Sequence, residues 1–295
     1  MKHDYIYNHL NAEEFLIVKK SAQWRQILEA IESIDANQFL KLSNDKTRRG
    51  EVLYNQVAIN DEFKRILGAN GWNEMKTEYY VTGDITTSKD IVREKDAEVQ
   101  KRTIEERGHI AFSTYNQVDF VKDRIAVEVQ FGKYFSVAYD LHVKHTFFFL
   151  RDEIDVGVEI IPTHAMMRRM DTGVSWFENE VTNVIREGRN NPSVPIVIIG
   201  IEPEDLIPET NAAKRAEAAR KRVDRMTEQV SKAETALGRA QGARLLNEEK
   251  IRVLEAKLEE YYRELSSAEA ELQELQREVQ RTNELKAQLA NANDI

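Results

Sequence analysis

Residues 118–130 read VDFVKDRIAVEVQ, an aspartate followed after eight residues by a glutamate and a glutamine that are separated by one residue. Residues that favour β-structure stand on both sides of the polar pair Lys122 and Asp123. Two such runs around a short polar pair predict neighbouring strands at 114–121 and 124–131, joined by a tight turn. The stretch therefore predicts a β-hairpin that carries acidic side chains.

Side chains alternate between the two faces of a strand, so the apolar residues of IAVEVQF share one face and Glu128 and Gln130 share the other. If that second face is buried, placing Glu128 and Gln130 there costs free energy unless another group binds their polar atoms. A hard cation such as Mg²⁺ would do so, with Asp119 approaching from the preceding strand. On a half-exposed strand the same residues would simply be solvated, and the Asp-x8-Glu spacing also arises by chance. The spacing leaves both interpretations open.

Composition sets limits on the kind of protein. The chain has 295 residues, no cysteine and 41% hydrophobic residues, so disulfides, thiolate zinc sites and cysteine nucleophiles are excluded. No apolar run approaches the roughly 20 residues that span a bilayer, and the N-terminus has no signal-peptide pattern. We therefore expect a cytoplasmic protein without a membrane partner. The net charge of −9 argues against non-specific DNA binding, but a site-specific cleft needs only local Lys and Arg.

The composition changes near residue 203, and proline disappears after Pro208. We expect a globular domain at 1–203, a linker at 204–211 and a coiled coil at 212–291. The tail follows a heptad pattern with Ile251 at position a. The a series reads Val223, Val230, Leu237, Arg244, Ile251, Leu258, Leu265, Leu272, Val279 and Lys286, and the d series reads Met226, Ala233, Ala240, Asn247, Leu254, Tyr261, Ala268, Leu275, Thr282 and Leu289. About ten heptads in one register favour a coiled coil strongly.

The middle of this tail is irregular. Gly238 and Gly242 lie near the polar seam residues Arg244 and Asn247. The unbroken heptad phase favours one continuous helix, whereas the glycines and the off-register leucines at 245–246 favour a hairpin of two antiparallel helices. Both interpretations stay open at this point.

The rest of the chain alternates between helical and extended patterns. Helices are predicted at 11–40, at 60–68 with Asn60 as N-cap and Gly68 as stop, at 86–109 as an exposed charged lobe, at 136–151 and at 174–189, and further strands at 154–161 and 194–201. This alternation predicts the α/β class, with helices packed on a mixed central sheet.

The segment YNQVDFVKDRIAVEVQFGKYFSVAYDL, at 115–141, resembles the catalytic core of BstYI-type and, more distantly, BglII-type restriction endonucleases of the PD-(D/E)XK nuclease superfamily. The resemblance covers most of residues 1–203 and leaves out the tail. It extends through YNHLNAEEFL, GEVLYNQVAIN, YYVTGD, IDVGVEIIP, the region before NVIREGR, and VPIVIIGI. It implies a restriction-endonuclease-like core with an added C-terminal coiled coil.

The resemblance also implies a reaction. Asp119 and Glu128 match the acidic pair that binds Mg²⁺, and Gln130 stands where most of the superfamily has lysine but the resembled enzymes have glutamine. An amide would orient water or phosphate without adding charge, which leaves electrostatic stabilisation to the metal. The implied activity is Type II restriction cleavage, in which water attacks a phosphodiester in double-stranded DNA and leaves a 5′-phosphate.

The implied substrate is the palindrome purine-GATC-pyrimidine, cut after the outer purine to give 5′ overhangs, and a twofold site calls for a homodimer. Lys133 matches a base-contacting position, and lysine suits guanine O6 and N7. Thr172 and Ser175, in MDTGVSWF, match a recognition loop, although the family residue at Thr172 is serine. All three could also be ordinary solvated or loop residues. We expect the tail to add contacts beyond the catalytic dimer, because a long apolar seam does not stay exposed.

Other candidates are weaker. His142 and His145 could face one side of a helix as metal ligands, but no third ligand accompanies them, which favours ordinary hydrogen-bonded histidines. Asp155 and Glu159 share a strand face, where a structural role is the better interpretation. A second hypothesis for the whole protein is a coiled-coil interaction protein whose nuclease-like domain binds DNA without cleaving it. The intact acidic pair and glutamine argue against it.

Overall fold

The computed structural model of the protein describes residues 1–209, 211–243 and 248–292. The strands are β1 Lys2–His9, β2 Leu40–Leu42, β3 Val52–Tyr54, β4 Asn73–Val81, β5 Phe112–Lys122, β6 Ile125–Val129, β7 Val156–Pro162 and β8 Ile196–Glu202. The helices are α1 Ala12–Lys19, α2 Ser21–Ser33, α3 Gln56–Ala69, α4 Ile85–Ile91, α5 Ala97–Glu106, α6 Tyr134–Tyr139, α7 His145–Leu150, α8 His164–Met167, α9 Phe177–Glu187, α10 Ala212–Gln241 and α11 Glu248–Ala292. A 3₁₀ turn spans Ala36–Gln38, and a π-helical segment, Asp140–Lys144, connects α6 to α7.

Within the described residues, six strands form one mixed sheet in the order β1-β8-β7-β6-β5-β4. The central strands β6, β7 and β8 are parallel, and the outer pairs are antiparallel. Helices flank the sheet, so the predicted α/β fold with a mixed central sheet is confirmed. The strands β6, β7 and β8 are buried along their whole length, as expected for parallel strands covered on both faces.

The predicted hairpin exists, with its turn one residue later than expected. Lys122 still pairs with Ile125, and the two turn residues are Asp123 and Arg124. Both adopt left-handed backbone angles, with φ of 48° and 68°. Two successive residues of this kind match the right-handed twist of the flanking strands in a two-residue hairpin loop.

Strand β5 is irregular next to the hairpin. Val118 of β5 pairs with Met75 of β4, and Val121 pairs with Asn73. An advance of three residues along β5 therefore matches an advance of two along β4. Asp119 lies in this shifted part of the strand. A bulge re-aims side chains and is frequent next to active sites.

Several boundaries differ from the predictions. The stretch 11–40 divides into α1, α2 and the 3₁₀ turn, with a break at Lys20. The helix predicted at 60–68 begins earlier, because Asn55 and not Asn60 caps it by accepting from the Ala58 N–H. The charged lobe at 86–109 contains α4 and α5. No helix in the described ranges is long and apolar enough to cross a membrane.

The chain divides into two compact units, one made of Met1–Lys41 and Leu53–Leu206 and the other of Leu42–Val52 and Ile207–Ile295. The six-stranded sheet belongs to the first unit and the two long helices to the second. The predicted limits of 1–203, 204–211 and 212–291 stay predictions.

In the second unit, α10 and α11 run antiparallel, as the hairpin interpretation requires, and the continuous helix is wrong. Arg222 Nη1 lies 3.1 Å from Glu271 Oε2, and the Tyr262 hydroxyl donates to Glu234 Oε1 at 2.5 Å. Every described a and d residue of the heptad series from 223 to 289 is buried or half-buried. The seam positions Arg244 and Asn247, and the leucines between them, lie outside the described residues.

Candidate active site

Glu128 lies in the interior of the sheet, on the central strand β6, and its side chain is only 1% exposed. Its backbone pairs with that of Glu159 on the parallel strand β7. The carboxylate is not left alone: Lys144 Nζ lies 2.9 Å from Glu128 Oε1. An isolated buried carboxylate would be costly, so this ion pair explains how Glu128 is tolerated in a core strand.

Asp140 and Lys144, the two ends of the π-helical segment, complete the buried polar cluster. Lys144 Nζ lies 2.8 Å from Asp140 Oδ1, and Asp140 is also 1% exposed. The Gln130 amide donates through Nε2 to Asp140 Oδ2 at 2.9 Å and accepts from the Gly132 N–H at 2.8 Å. Glu128, Lys144, Asp140 and Gln130 therefore form one connected chain of contacts.

The sequence analysis missed Asp140 and Lys144. Their spacing of four residues in DLHVK places them as an i, i+4 acid–base pair on a helix. Such pairs are common on solvated helix faces, and nothing in the pattern marked this one as buried against β6. The signal was present but was not specific.

Asp119 is half-buried, in the shifted part of β5, and it acts on the cluster through its charge. Burial, and then the charges of Asp119 and Asp140, raise the pKa of Glu128 well above its usual range, although Lys144 opposes the shift. Burial also raises the pKa of Asp140, against the opposing effects of Lys144 and Gln130. The charge of Asp119 is thus close enough to act on both Glu128 and Asp140.

Acidic groups outnumber basic groups in this centre: Glu128 and Asp140 contact the single ammonium of Lys144, and Asp119 adds a third carboxylate whose charge acts on both. Burial alone would lower the pKa of Lys144, but the charges of Glu128 and Asp140 outweigh it and raise the pKa, which keeps the ammonium protonated. An additional cation would relieve the repulsion among the carboxylates, and carboxylate oxygens are the ligands that Mg²⁺ prefers. Asp119 and Glu128 therefore fit a hard divalent ion. Among the described residues, no group of three or more His, Cys, Asp or Glu side chains is arranged to hold a metal by itself.

A second buried pair, His145 and Glu159, lies next to this centre. Both side chains are fully buried, and His145 Nε2 is 3.4 Å from Glu159 Oε2. Neither side chain has a hydrogen-bond partner. Burial, with help from Lys144, lowers the pKa of His145 to about 3, and burial followed by the charges of Asp140 and Glu128 raises the pKa of Glu159 well above its usual range. Burial thus disfavours the charged form of both side chains, which makes this pair unsuited to supply an ionised ligand.

The two histidines of HVKH diverge. His142 Nε2 lies 3.2 Å from Glu187 Oε2, whereas His145 faces Glu159 in the core. Asp155, on the same predicted strand face as Glu159, receives a hydrogen bond from Arg124 Nε at 2.9 Å. These positions agree with structural roles for all four residues, but His145 is not the hydrogen-bonded histidine that was expected, because neither ring nitrogen has a hydrogen-bond partner.

The predicted DNA-contacting residues occupy different environments. Lys133 is exposed just beyond β6, and its backbone forms an isolated antiparallel bridge with Val174, which brings the predicted recognition loop beside the end of β6. Thr172 is exposed in that loop. Ser175 is fully buried, and its hydroxyl donates to the Glu180 carboxylate. In this conformation Ser175 fixes the loop and is not accessible to a ligand.

The fold and this centre together define an α/β protein with a restriction-endonuclease-like core and a carboxylate–amide cluster on its central hairpin. The sequence model of the family "Restriction endonuclease BglII/BglIII" matches residues 5–201, about two thirds of the chain. The protein therefore belongs to this family of restriction endonucleases.

Comparison with solved structures and curated sequences adds two findings. The chain is similar to the solved structure "Crystal structure of restriction endonuclease BGLII complexed with DNA 16-mer", with 19% sequence identity and a TM-score of 0.48. The similarity covers 70% of this chain and 81% of that chain. No curated protein sequence matches the chain closely enough to be compared with it.

Proposed function

We propose that the protein is a Type II restriction endonuclease, which hydrolyses double-stranded DNA at a GATC-centred palindrome in a reaction that requires Mg²⁺. The observation that carries the proposal is the buried Glu128 on β6, with Gln130 directly after the end of that strand and Asp119 on the neighbouring strand β5, inside the segment that matches the family. The proposed site is purine-GATC-pyrimidine, cut after the outer purine to leave 5′ overhangs.

Asp119 and Glu128 would hold Mg²⁺, which when bound supplies Lewis-acid activation of water and charge stabilisation at the phosphate. The other residues of the chain prepare the centre. Both ends of the Gln130 amide are engaged, by Asp140 and by the Gly132 N–H, so its orientation is fixed. Glu128 is held by the Lys144 ammonium before any ligand arrives. The cluster is therefore pre-assembled, which lowers the reorganisation needed during the reaction.

A homodimer matches the twofold symmetry of the proposed site. A surface stripe supports this proposal: Phe135, Tyr139 and Val143 recur at intervals of four residues along α6 and the π-helical segment, and each is exposed. An apolar stripe on a helix next to the centre fits a self-complementary contact with a second copy. A further contact between copies through the helical hairpin is part of the proposal, since many seam residues stay partly exposed after α10 and α11 pack on each other.

The recognition contacts proposed are Lys133 and Thr172, with Ser175 supporting the loop from inside. The bridge between Lys133 and Val174 supports this assignment, since it places strand end and loop side by side. A lysine that contacts guanine contributes about 1–3 kcal/mol to discrimination between bases. Lys133→Ala should therefore relax the sequence preference more than it weakens binding to non-specific DNA.

The test is a digest of DNA that carries a single GATC-centred palindrome, with Mg²⁺, followed by mapping of the ends. Discrete fragments with four-base 5′ overhangs support the proposal, and a matched DNA without the site should stay intact. Asp119→Asn should abolish cleavage while retaining binding, because it removes a ligand charge but preserves the shape of the side chain. Asp4→Asn, on the exposed face of β1, is the matched control and should cut normally.

Two results would contradict the proposal. A fully active Asp119→Asn variant would exclude the assigned centre. Specific retention of DNA without cleavage under any divalent ion would favour the second hypothesis, a protein that binds DNA through a nuclease-like domain and does not cut it.

A further inference from the structure

The Lys144 ammonium lies between the two most buried carboxylates of the centre. It is 2.9 Å from Glu128 Oε1 and 2.8 Å from Asp140 Oδ1, and its side chain is only 19% exposed. Such a group, enclosed by two carboxylates, has the charge and position of a bound cation. The proposed function also makes Glu128 a ligand for a divalent ion, so one carboxylate group has two candidate cations.

The local helix geometry supports a specialised role for this lysine. Asp140–Lys144 forms a π-helical segment between the α-helical segments α6 and α7. A π turn is rare, because it widens the helix, and such turns are frequent at functional sites. Here its two end residues, Asp140 and Lys144, are the ones that reach the centre.

Asp140 gives the lysine an anchor that is independent of Glu128. One oxygen of Asp140 contacts Lys144, and the other accepts from Gln130. Because Asp140 is held from two sides, Lys144 keeps one ion pair if Glu128 is taken by another cation. The cluster therefore permits an exchange at Glu128 without the complete loss of the lysine's partner.

We infer that Lys144 is the internal counter-cation of the centre and competes with the divalent ion for Glu128, so that metal binds only when Lys144 gives up that contact. The inference rests on the proposed function, which assigns Glu128 as a metal ligand. It adds a mechanism that limits metal affinity in the DNA-free protein. A purely structural lysine would have the opposite effect, because its removal would disorder the carboxylates and weaken metal binding.

The test is calorimetric titration of the full-length, DNA-free protein with Ca²⁺, an ion that takes the same oxygen ligands as Mg²⁺. Lys144→Met removes the competing charge and keeps much of the side-chain volume. Like charges a few ångströms apart repel by more than the 1.4 kcal/mol that corresponds to a tenfold change, so the variant should bind Ca²⁺ about tenfold or more tightly than the wild type. Unchanged or weaker binding would overturn the inference.

Matched variants separate the effect from a general change of charge. Lys76→Met removes a lysine whose Nζ also lies 2.9 Å from a glutamate, Glu78, but on the exposed strand β4, and it should bind Ca²⁺ as the wild type does. Lys144→Arg keeps the charge and should not gain affinity. Adding Glu128→Gln to the Lys144→Met variant should remove the gain, which would place the effect at Glu128.

Thermal unfolding covers the case in which Lys144→Met folds poorly. Metal that binds only the folded state raises the melting temperature by mass action, so saturating Ca²⁺ should raise it more in this variant than in the wild type. If Lys144→Met does not fold, Lys144→Gln, which retains a hydrogen-bonding end, takes its place in both measurements. An equal or smaller rise in the folded variant would overturn the inference.

Cleavage assays on the same preparations show which proposal has failed. If the wild type cuts DNA with Mg²⁺ but the variant gains no affinity for Ca²⁺, only the role of Lys144 is wrong. If no variant binds Ca²⁺ and the wild type does not cut, the proposed function fails as well.

Discussion

Replacement of Glu159 by glutamine tests whether the second buried carboxyl group is protonated in the folded protein. Burial and the charges of Asp140 and Glu128 raise the pKa of Glu159 well above its ordinary value of 4.5. Above pH 4.5 the unfolded chain therefore releases this proton, while the folded protein retains it. Stability contributed by the protonated group is complete below pH 4.5 and is lost as the pH rises toward the folded pKa. Glutamine has nearly the same shape and does not titrate, so the substitution removes this loss.

The magnitude follows from proton linkage. Each pH unit costs the folded wild type about 1.4 kcal/mol relative to the variant, for as long as Glu159 stays protonated in the folded state. The two proteins should have similar free energies of unfolding at pH 4.5, and by pH 6.5 the Glu159→Gln variant should be more stable by up to about 3 kcal/mol. The gain is an upper limit for that interval, because it stops where the folded carboxyl group ionises.

His145 gives the wild type an opposing slope over the same interval. Its pKa falls from 6.5 to about 3, so the unfolded chain takes up a proton below pH 6.5 that the folded protein does not. Stability from His145 is complete above pH 6.5 and is lost as the pH falls toward 3. In the wild type the effects of Glu159 and His145 on the free energy of unfolding cancel between pH 4.5 and 6.5. In the Glu159→Gln variant only the effect of His145 remains, so the free energy of unfolding should rise with pH over this interval.

The assay is urea unfolding of the wild type and the variant at half-unit steps from pH 4.5 to 7.5. Glu78→Gln, at an exposed glutamate on β4, is the control for the same change of side chain outside the core. A constant difference between wild type and Glu159→Gln across the series would refute the reasoning, since it would mean that Glu159 titrates alike in both states.

Three further predictions concern packing. Gly157→Ala should lower the free energy of unfolding by about 1–3 kcal/mol, because the added Cβ would lie 2.7 Å from His145 Nδ1. Chemical denaturation measures this loss. The control is Gly68→Ala in α3, where the added Cβ meets nothing within 4 Å and should cause no loss of stability. Leu275→Glu, at a seam residue that is 3% exposed, should reduce helix content and change the assembly state seen by light scattering, whereas Val253→Glu, at a position 62% exposed on the same helix, should leave both unchanged. Ser175→Ala should destabilise the protein by about 1–3 kcal/mol, because it removes a buried hydrogen bond to Glu180; an unchanged unfolding curve would show that this bond does not hold the loop.

The parts of the fold that were predictable are those with a strong periodic signal. The hairpin of β5 and β6 follows from two β-rich runs around a polar pair, and the helices of the tail follow from the heptads. The edge strands β1 and β4 were not predicted. β1 is largely half-exposed, and the residues of β4 are all exposed or half-exposed. Both strands carry charged residues, as in NEMKTEYYV, so neither shows the apolar run of a central strand. Their place in the sheet depends on pairing with β8 and β5, which no local pattern contains.

The candidate site shows the same limit. Glu128 and Gln130 lie two residues apart at the end of β6, so their proximity follows from the spacing in the sequence alone. The shifted register that carries Asp119 depends on how β5 pairs with β4, and the burial of Asp140 depends on how its helix packs on β6. Whether the tail was one helix or two also depended on long-range packing, because a heptad pattern has the same form in a continuous helix and in an antiparallel hairpin.

The local sequence after Glu128 explains why an amide suits this centre. A Cβ on Gly132 would collide with Gln130 Oε1, so glycine lets the backbone N–H come close enough to donate to that oxygen. With its oxygen fixed in this way, the amide must present Nε2, a donor, to Asp140. A lysine at position 130 would leave the Gly132 N–H without this acceptor and would place a second ammonium on an aspartate that already binds Lys144. The positive charge of the cluster therefore comes from Lys144 in the π-helical segment, and Gln130, just after β6, contributes the neutral group that holds Asp140 in place.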